Sequence, residues 1–464
     1  MKNLFALLFL SLALAACTQK VDNQEIKIEK VSSQESQAIL NHIRFGLPLE
    51  DGVSASDECS QFQNSLPPNF VKGYVTVPED WKNPRGRQIK VFYYGRLEKG
   101  KDPVVFHNGG PASDSHGSSE LLEGLETANA LSFIYIDQRG TGCSDPFPQE
   151  PTVENVNRLV NYTTNEIVWD SEAVRQELLG DKKWKVFGQS YGGQIVHRYA
   201  VNAPENLKGA FAHGLSLMDN QNDWLKLRIK SQKRVIEMYF KQYPNDRQAL
   251  TKIRSLIGEN LCFNDGDTKI CGPKVTDALV IFLGFSTSWS YMHQTIGSLM
   301  SNGQLSLTQL ERFVRNYVFG VFTSNGLAAN VISVVEMSDG KSDAESCKIV
   351  NEKLEAEGET PQAWILNECR LLAGFKNDKW TELLAGITVN KSMNPVDLKN
   401  SLIANPNLPF FLYSGHKDVF VPIETFAEEV ALLGNLITYR EFTTSGHEGF
   451  YTEAQVWKDI QGVK

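Results

Sequence analysis

The sequence predicts an α/β protein with a mostly parallel sheet of about eight strands, doubly wound, with a helical insertion between the sixth and seventh strands. Two observations carry this. Near-continuous apolar runs, of the kind buried on both faces of a parallel sheet, alternate with amphipathic helical segments. After a long helix-rich gap the strand pattern then resumes, which places the gap inside the sheet domain and argues against a separate C-terminal domain.

Taken in order, the strand-like runs are Gly73 to Pro78, Ile89 to Leu97, Pro103 to Asn108, Leu131 to Asp137, Trp184 to Gly188 and Leu207 to Gly214, followed after the gap by Leu408 to Gly415 and Ile437 to Phe442. Helical periodicity appears at Ser171 to Gly180 and at Gly192 to Val201, the second stopped near Pro204. The gap holds patterns such as "WLKLRIKSQKRVIEMYFKQY" and "LTQLERFVRNYVFGVF" and few strand runs. These readings divide the chain into a core at 41–214 and 401–464 and a helical cap at 215–400.

The first residues read differently. Lys2 is followed by an apolar run from Leu4 to Leu14 and by Leu14-Ala15-Ala16-Cys17, a secretory signal over 1–16 too short to span a bilayer as a mature helix. "LAAC" resembles the lipobox of bacterial lipoproteins, which implies lipid on Cys17, a polar tether over 17–40 and anchoring in the cell envelope; Thr18 resembles the residue after the cysteine in outer-membrane lipoproteins. A plain cleaved signal is the alternative.

Composition is that of a globular protein, with 41% apolar and 22% charged residues, and the net charge of −9 gives no electrostatic footprint for nucleic acid. Besides Cys17 there are six cysteines, an even number that suits an oxidising compartment. Spacing favours Cys262 with Cys271 and Cys347 with Cys369, leaving Cys59 with Cys143; free buried thiols are the alternative. With no CxxC and no HExxH, no metal or other cofactor is expected.

Chemistry points to "VFGQSYGGQIV". A serine between strand and helix in GxSxG sits on a strained turn whose neighbours must be small, here Gly188 and Gly192, so Ser190 is the expected nucleophile. Tyr191 begins the helix, where its N–H and the helix dipole can stabilise an oxyanion. A serine hydroxyl needs a base and an orienting acid, here in the order Ser, acid, His. His447, in a loop after the last strand, is the expected base, and Asp418, just after the seventh strand, the expected acid. His416 is the alternative base, and Asp397 and Glu424 are alternative acids. "FHNGGPAS" follows the third strand, so Gly109 or Gly110 is expected to supply the second oxyanion donor, with His107 bracing the loop. "YIDQRGTGCSDP" lacks the third glycine of a dinucleotide loop; Asp137 and Arg139 are expected to hold it near the site.

Together "HNGGPA", "DQRGTGCSDP", "GQSYGG", "SGHKD" and "SGHE", in this order and interrupted by a helical segment, resemble the prolyl and tripeptidyl aminopeptidase branch of peptidase family S33, within the α/β-hydrolases. The resemblance covers about Gly73 to Leu215 and Leu408 to Gly449. It implies an α/β-hydrolase fold, a serine exopeptidase acting on short peptides, Ser190, Asp418 and His447 as the triad, and Tyr191 with the GGP loop as oxyanion hole. Ala112 stands where the family has a glycine in GGPG, a departure from the proline-specific pattern.

An exopeptidase needs a counter-charge for the substrate's α-ammonium. Glu336 in "NVISVVEMSDG" is the candidate, since it ends an apolar helical run and the resemblance implies cap glutamates in this task; a helix-end glutamate facing solvent is the alternative. Two other classes share the sequence features: a lipid-anchored carboxylesterase or lipase using the same triad, and a non-catalytic binding lipoprotein.

Overall fold

The computed structural model describes residues 24–26, 57–111, 113–148, 150–215, 221–258, 260–265, 268–272, 286–301, 304–315, 387–389 and 394–464. Cys17, Ala112, Glu336, Cys347 and Cys369 lie outside the described residues.

The main sheet comprises β1 (Val71–Pro78), β2 (Gln88–Gly95), β3 (Val104–His107), β4 (Phe133–Ile136), β5 (Trp184–Gln189), β6 (Leu207–His213), β7 (Phe410–Gly415) and β8 (Thr438–Phe442). Its spatial order is β8-β7-β6-β5-β3-β4-β2-β1. The pairs β1–β2 and β2–β4 are antiparallel and every other pair is parallel. All eight expected strand runs coincide with these strands to within two residues at each end.

A period of two is hidden inside the apolar runs. Val105, Ile134, Ile136, Val186, Ala210, Ala212 and Leu412 share one core, and Phe106, Phe133, Tyr135, Phe187, Phe211 and Tyr413 share another. One face is therefore mainly aliphatic and small at the sheet centre and the other mainly aromatic, with Tyr93, Trp184 and Phe410 as exceptions on the first and Val104 on the second.

Helices cover both faces. In chain order those used below are α1 (Asp57–Ser65), α2 (His116–Ala128), α3 (Thr164–Leu179), α4 (Tyr191–Asn202), α5 (Gln221–Gln242), α6 (Asp246–Ile257), α7 (Trp289–Leu299), α8 (Pro395–Ala404) and α9 (Ala454–Gly462). Ile167, Val174, Ile195 and Val196 of α3 and α4 pack on the aliphatic face, and Leu122, Trp457 and Ile460 of α2 and α9 on the aromatic one. Helix α3 begins seven residues before the expected start. In its first turns the polar residues Thr164, Asn165 and Asp170 are buried beside Ile167, Val168 and Trp169, so polarity does not mark an outward face there and the periodicity is hidden. The start carries the capping-box spacing of Thr163 at the N-cap and Glu166 three residues on, but the Thr163 hydroxyl donates to the Glu166 carboxylate and makes no side-chain cap to the backbone.

Between β6 and β7 the described residues include helices α5, α6 and α7, a further helix at Leu307–Phe313, α8, a short antiparallel pair at Met300–Ser301 and Gln304–Leu305, and a hairpin, Cys262–Asp265 with Thr268–Cys271; the hairpins stand against the helical expectation for this segment. The disulfide Cys262–Cys271 closes the hairpin. Val235, Ile236, Tyr239, Ile253, Trp289 and Met292 form a core of their own here, joined by Val419 and Phe420 from the loop after β7. A second disulfide, Cys59–Cys143, ties α1 to the loop after β4. Within the segment read as a tether, Gln24–Ile26 forms a short strand paired in parallel with Ile387–Val389.

Candidate active site

Strand β5 ends at Gln189 and α4 starts at Tyr191, leaving Ser190 alone on the turn between them with φ 58° and ψ −120°, a left-handed conformation that costs a non-glycine residue energy. The flanking glycines follow from contact distances. A Cβ on Gly188 would lie 2.1 Å from the Gly192 carbonyl oxygen, and one on Gly192 would lie 2.0 Å from that of His107. The turn is pinned by the Ser190 N–H donating to the His213 carbonyl at the end of β6 (2.8 Å).

Asp418 lies in the loop after β7 and is fully buried. Its Oδ1 accepts the N–H groups of Phe420 (2.8 Å) and Val421 (2.9 Å), and its Oδ2 lies 2.7 Å from Nδ1 of His447, which comes from the loop after β8. An ionised carboxylate can only accept, so Nδ1 carries the proton and Nε2 is the basic nitrogen. The Phe420 ring packs 5.1 Å from the imidazole. Gly214, at φ 64°, lets the chain after β6 pass close by: a Cβ there would sit 3.3 Å from His447 Cε1 and 3.7 Å from Asp418 Oδ2.

The glycine loop after β3 packs against the serine. A Cβ on Gly109 would lie 2.6 Å from Gln189 Oε1 and 3.0 Å from Ser190 Cβ. The Gly109 N–H donates to Asn108 Oδ1 (2.9 Å), while Gly110, at φ 124°, continues the loop. Asn108 also accepts from Ser118 Oγ (2.8 Å) and donates through Nδ2 to the Asp114 carbonyl (2.6 Å). Gln189, inside the serine motif but not singled out in the sequence, links the loops: its Nε2 donates to the His447 carbonyl at 3.4 Å while its Oε1 faces Gly109.

The loop after β4 supports this arrangement from behind. Gln138 Nε2 donates to the Asn108 carbonyl (3.0 Å). Asp137 accepts from the Ser115 N–H (3.0 Å) and Oγ (2.7 Å) and from the Cys143 N–H (2.8 Å), and it pairs with His116 Nε2 (2.8 Å). Arg139 forms a buried fork on Asp170 (2.6 and 2.7 Å) and donates to the Glu79 and Asn161 carbonyls, both at 2.6 Å. His116, Asp137 and Cys143 have potential ligand atoms within 4.8 Å of one another, but the Cys143 sulfur is committed to the disulfide, so the trio does not suit a metal.

Two further histidines are fully buried nearby. His107 meets Ser171 Oγ at 3.2 Å, and burial lowers its pKa to about 3. His213 is lowered to about 3 as well, by burial first and by His447 second. Both rings are neutral, so His107 braces the loop without charge. His416 turns outward to Glu441 (2.7 Å), Glu424 pairs with Arg234 (2.9 Å), and Asp397 sits in the first turn of α8. Among the candidate acids and bases, Asp418 and His447 are the two that the structure brings together.

Residues 102–252 match the family described as alpha/beta hydrolase fold. Over 124 residues the chain is 36% identical to the proline iminopeptidase of Neisseria gonorrhoeae, covering 26% of this chain and 36% of that protein. Over 161 residues it is 30% identical to a putative proline iminopeptidase of Mycoplasma pneumoniae, covering 35% of this chain and 45% of that protein. The chain thus spans less than half the length of these relatives. An acetylester hydrolase from Corynebacterium glutamicum aligns with a TM-score of 0.45 at 15% identity, covering 89% of this chain and 99% of that one. With its strand order, its serine on the turn after β5 and this family match, the chain has the α/β-hydrolase fold.

Proposed function

We propose that the protein is a serine exopeptidase, an aminopeptidase that cleaves short peptides near a free N-terminus through an acyl-enzyme on Ser190. The observation that carries the reading is the buried 2.7 Å pair between His447 Nδ1 and Asp418 Oδ2, in loops that pack around the Ser190 turn. In this mechanism His447 Nε2 takes the Ser190 hydroxyl proton as Oγ attacks the scissile carbonyl carbon. Asp418 holds the ring in the reactive tautomer and stabilises the imidazolium. Negative charge on the carbonyl oxygen meets the Tyr191 N–H at the start of α4 and the Gly110 N–H, the Gly109 N–H being occupied by Asn108. The imidazolium then protonates the departing amine as the C–N bond breaks. A water molecule, deprotonated by the same nitrogen, releases the acyl group and restores the serine.

The choice of peptides as substrates rests on the S33-like motifs and on the proline iminopeptidase relatives. Glu336 as the partner of the substrate's ammonium, and Cys17 as a lipid anchor that keeps the enzyme on a membrane of the cell envelope, rest on sequence alone. Paired aminoacyl and peptidyl arylamides with free and acetylated N-termini test the reading. Free-amine substrates should be turned over at least a hundredfold faster. Equal rates, or hydrolysis confined to small esters, would replace it with the carboxylesterase reading.

A further inference from the structure

We propose that Glu448 is a positioning residue, whose carboxylate fastens the residue before His447 to the turn that leads into cap helix α7 and so makes cap docking set the aim of the base. The inference rests on the assignment of His447 as that base. Glu448 directly follows His447 and is fully buried. Its Oε1 accepts the N–H of Gly446 at 3.1 Å, on the near side of His447, and the N–H of Ser286 at 3.0 Å, together with the Ser286 hydroxyl. Ser286 opens the 3-10 turn Ser286–Ser288 that runs into α7. A single oxygen thus joins two segments more than 150 residues apart, one carrying the base and the other leading into the cap.

Other contacts grip the same two loops. Lys417, beside Asp418, places Nζ 4.3 Å from the Trp289 ring of α7. Ser231 Oγ of α5 donates to the Asp418 carbonyl at 3.0 Å. Val419 and Phe420, next to Asp418, belong to the core of the cap rather than to that of the sheet. Both the acid loop and the base loop are therefore seated against cap helices. A shift in the cap reaches the His447 loop through the most directional of these contacts, the two hydrogen bonds that the Ser286 N–H and hydroxyl donate to Glu448.

The test compares Glu448→Ala, Glu448→Gln and Ser286→Ala, with kcat expressed per active serine titrated by a fluorophosphonate. Per-site kcat should fall about tenfold or more in Glu448→Ala on both a free-amine peptide and a small ester, with KM within about twofold. Glu448→Gln, which keeps an oxygen acceptor for both N–H groups, should recover most of that loss. Ser286→Ala should cause a smaller drop of a few fold that disappears in the Glu448→Ala background. If Glu448→Ala does not fold, the Ser286→Ala measurement decides alone, and wild-type kcat per site in it overturns the proposal. A loss in Glu448→Gln restricted to the free-amine peptide also overturns it, since Glu448 would then bind substrate. If His447→Ala keeps its per-site kcat, the underlying assignment of the base has failed, a result separate from either outcome.

Discussion

His447 Nδ1 and Asp418 Oδ2 meet at 2.7 Å, although 29 residues of chain separate them and each comes from the loop after a different strand. Strands β5 to β8 run parallel, so both loops emerge at the C-terminal end of the sheet, as does the turn bearing Ser190. Ser190→Ala, His447→Ala and Asp418→Asn should each lower kcat by about a thousandfold or more, and the double variants should be little worse than the singles. Steady-state kinetics alongside circular dichroism checks this; additive losses would show that the three do not act as one unit.

The glycines give a contrast in stability. Gly192→Ala forces a Cβ to within 2.0 Å of a backbone oxygen, whereas a Cβ on Gly124 in α2 meets no atom within 4 Å. Thermal denaturation should show Gly192→Ala strongly destabilised and Gly124→Ala unchanged or more stable by up to about 1 kcal/mol, the usual gain from glycine to alanine within a helix. A stable, active Gly192→Ala would contradict the packing described at the turn.

Much of the sheet was legible because strands buried on both faces must be apolar throughout, and such runs are easy to find. The Ser190 turn was legible for a different reason: close approach of β5, α4 and the β3 loop excludes any Cβ at Gly188 and Gly192, and that steric demand is written as spacing. The start of helix α3 gives no clear periodicity because polar residues such as Asn165 and Asp170 are buried there beside Ile167 and Trp169, so polarity does not mark the outward face. Gln189 and Glu448 were passed over because a lone amide or carboxylate in a loop gives no periodic signal. Their roles depend on partners such as Gly109 and Ser286, which only the fold brings near.

The disulfide between Cys59 and Cys143 spans 84 positions of chain and anchors the loop in which Asp137 gathers Ser115, His116 and the Cys143 N–H. By the chain-entropy argument its removal should cost about 4–5 kcal/mol. The Cys59→Ala/Cys143→Ala variant should melt well below the wild type, and activity should fall earlier on heating than far-UV circular dichroism. Coincident transitions at the wild-type temperature would show that the bond does not support the site.

Glu126 provides a pH-dependent term. Burial raises its pKa to about 7, against the pull of the Phe133 N–H and Arg96. A carboxyl raised in the folded state binds its proton more tightly there than when unfolded. Its contribution is therefore fully present below about pH 4.5 and is lost as pH rises through about 7. Glu126→Gln should remove that loss, melting above the wild type at pH 8 and close to it at pH 5. The same difference at both pH values would mean that Glu126 does not titrate in this range.

The most direct measurement is mass spectrometry of the full chain after reaction with a fluorophosphonate, with the modified peptide sequenced. The account predicts one adduct per molecule, on Ser190, with labelling greatly slowed in His447→Ala. An adduct on any other residue, or no adduct while hydrolysis continues, would contradict the assignment of Ser190 as the nucleophile.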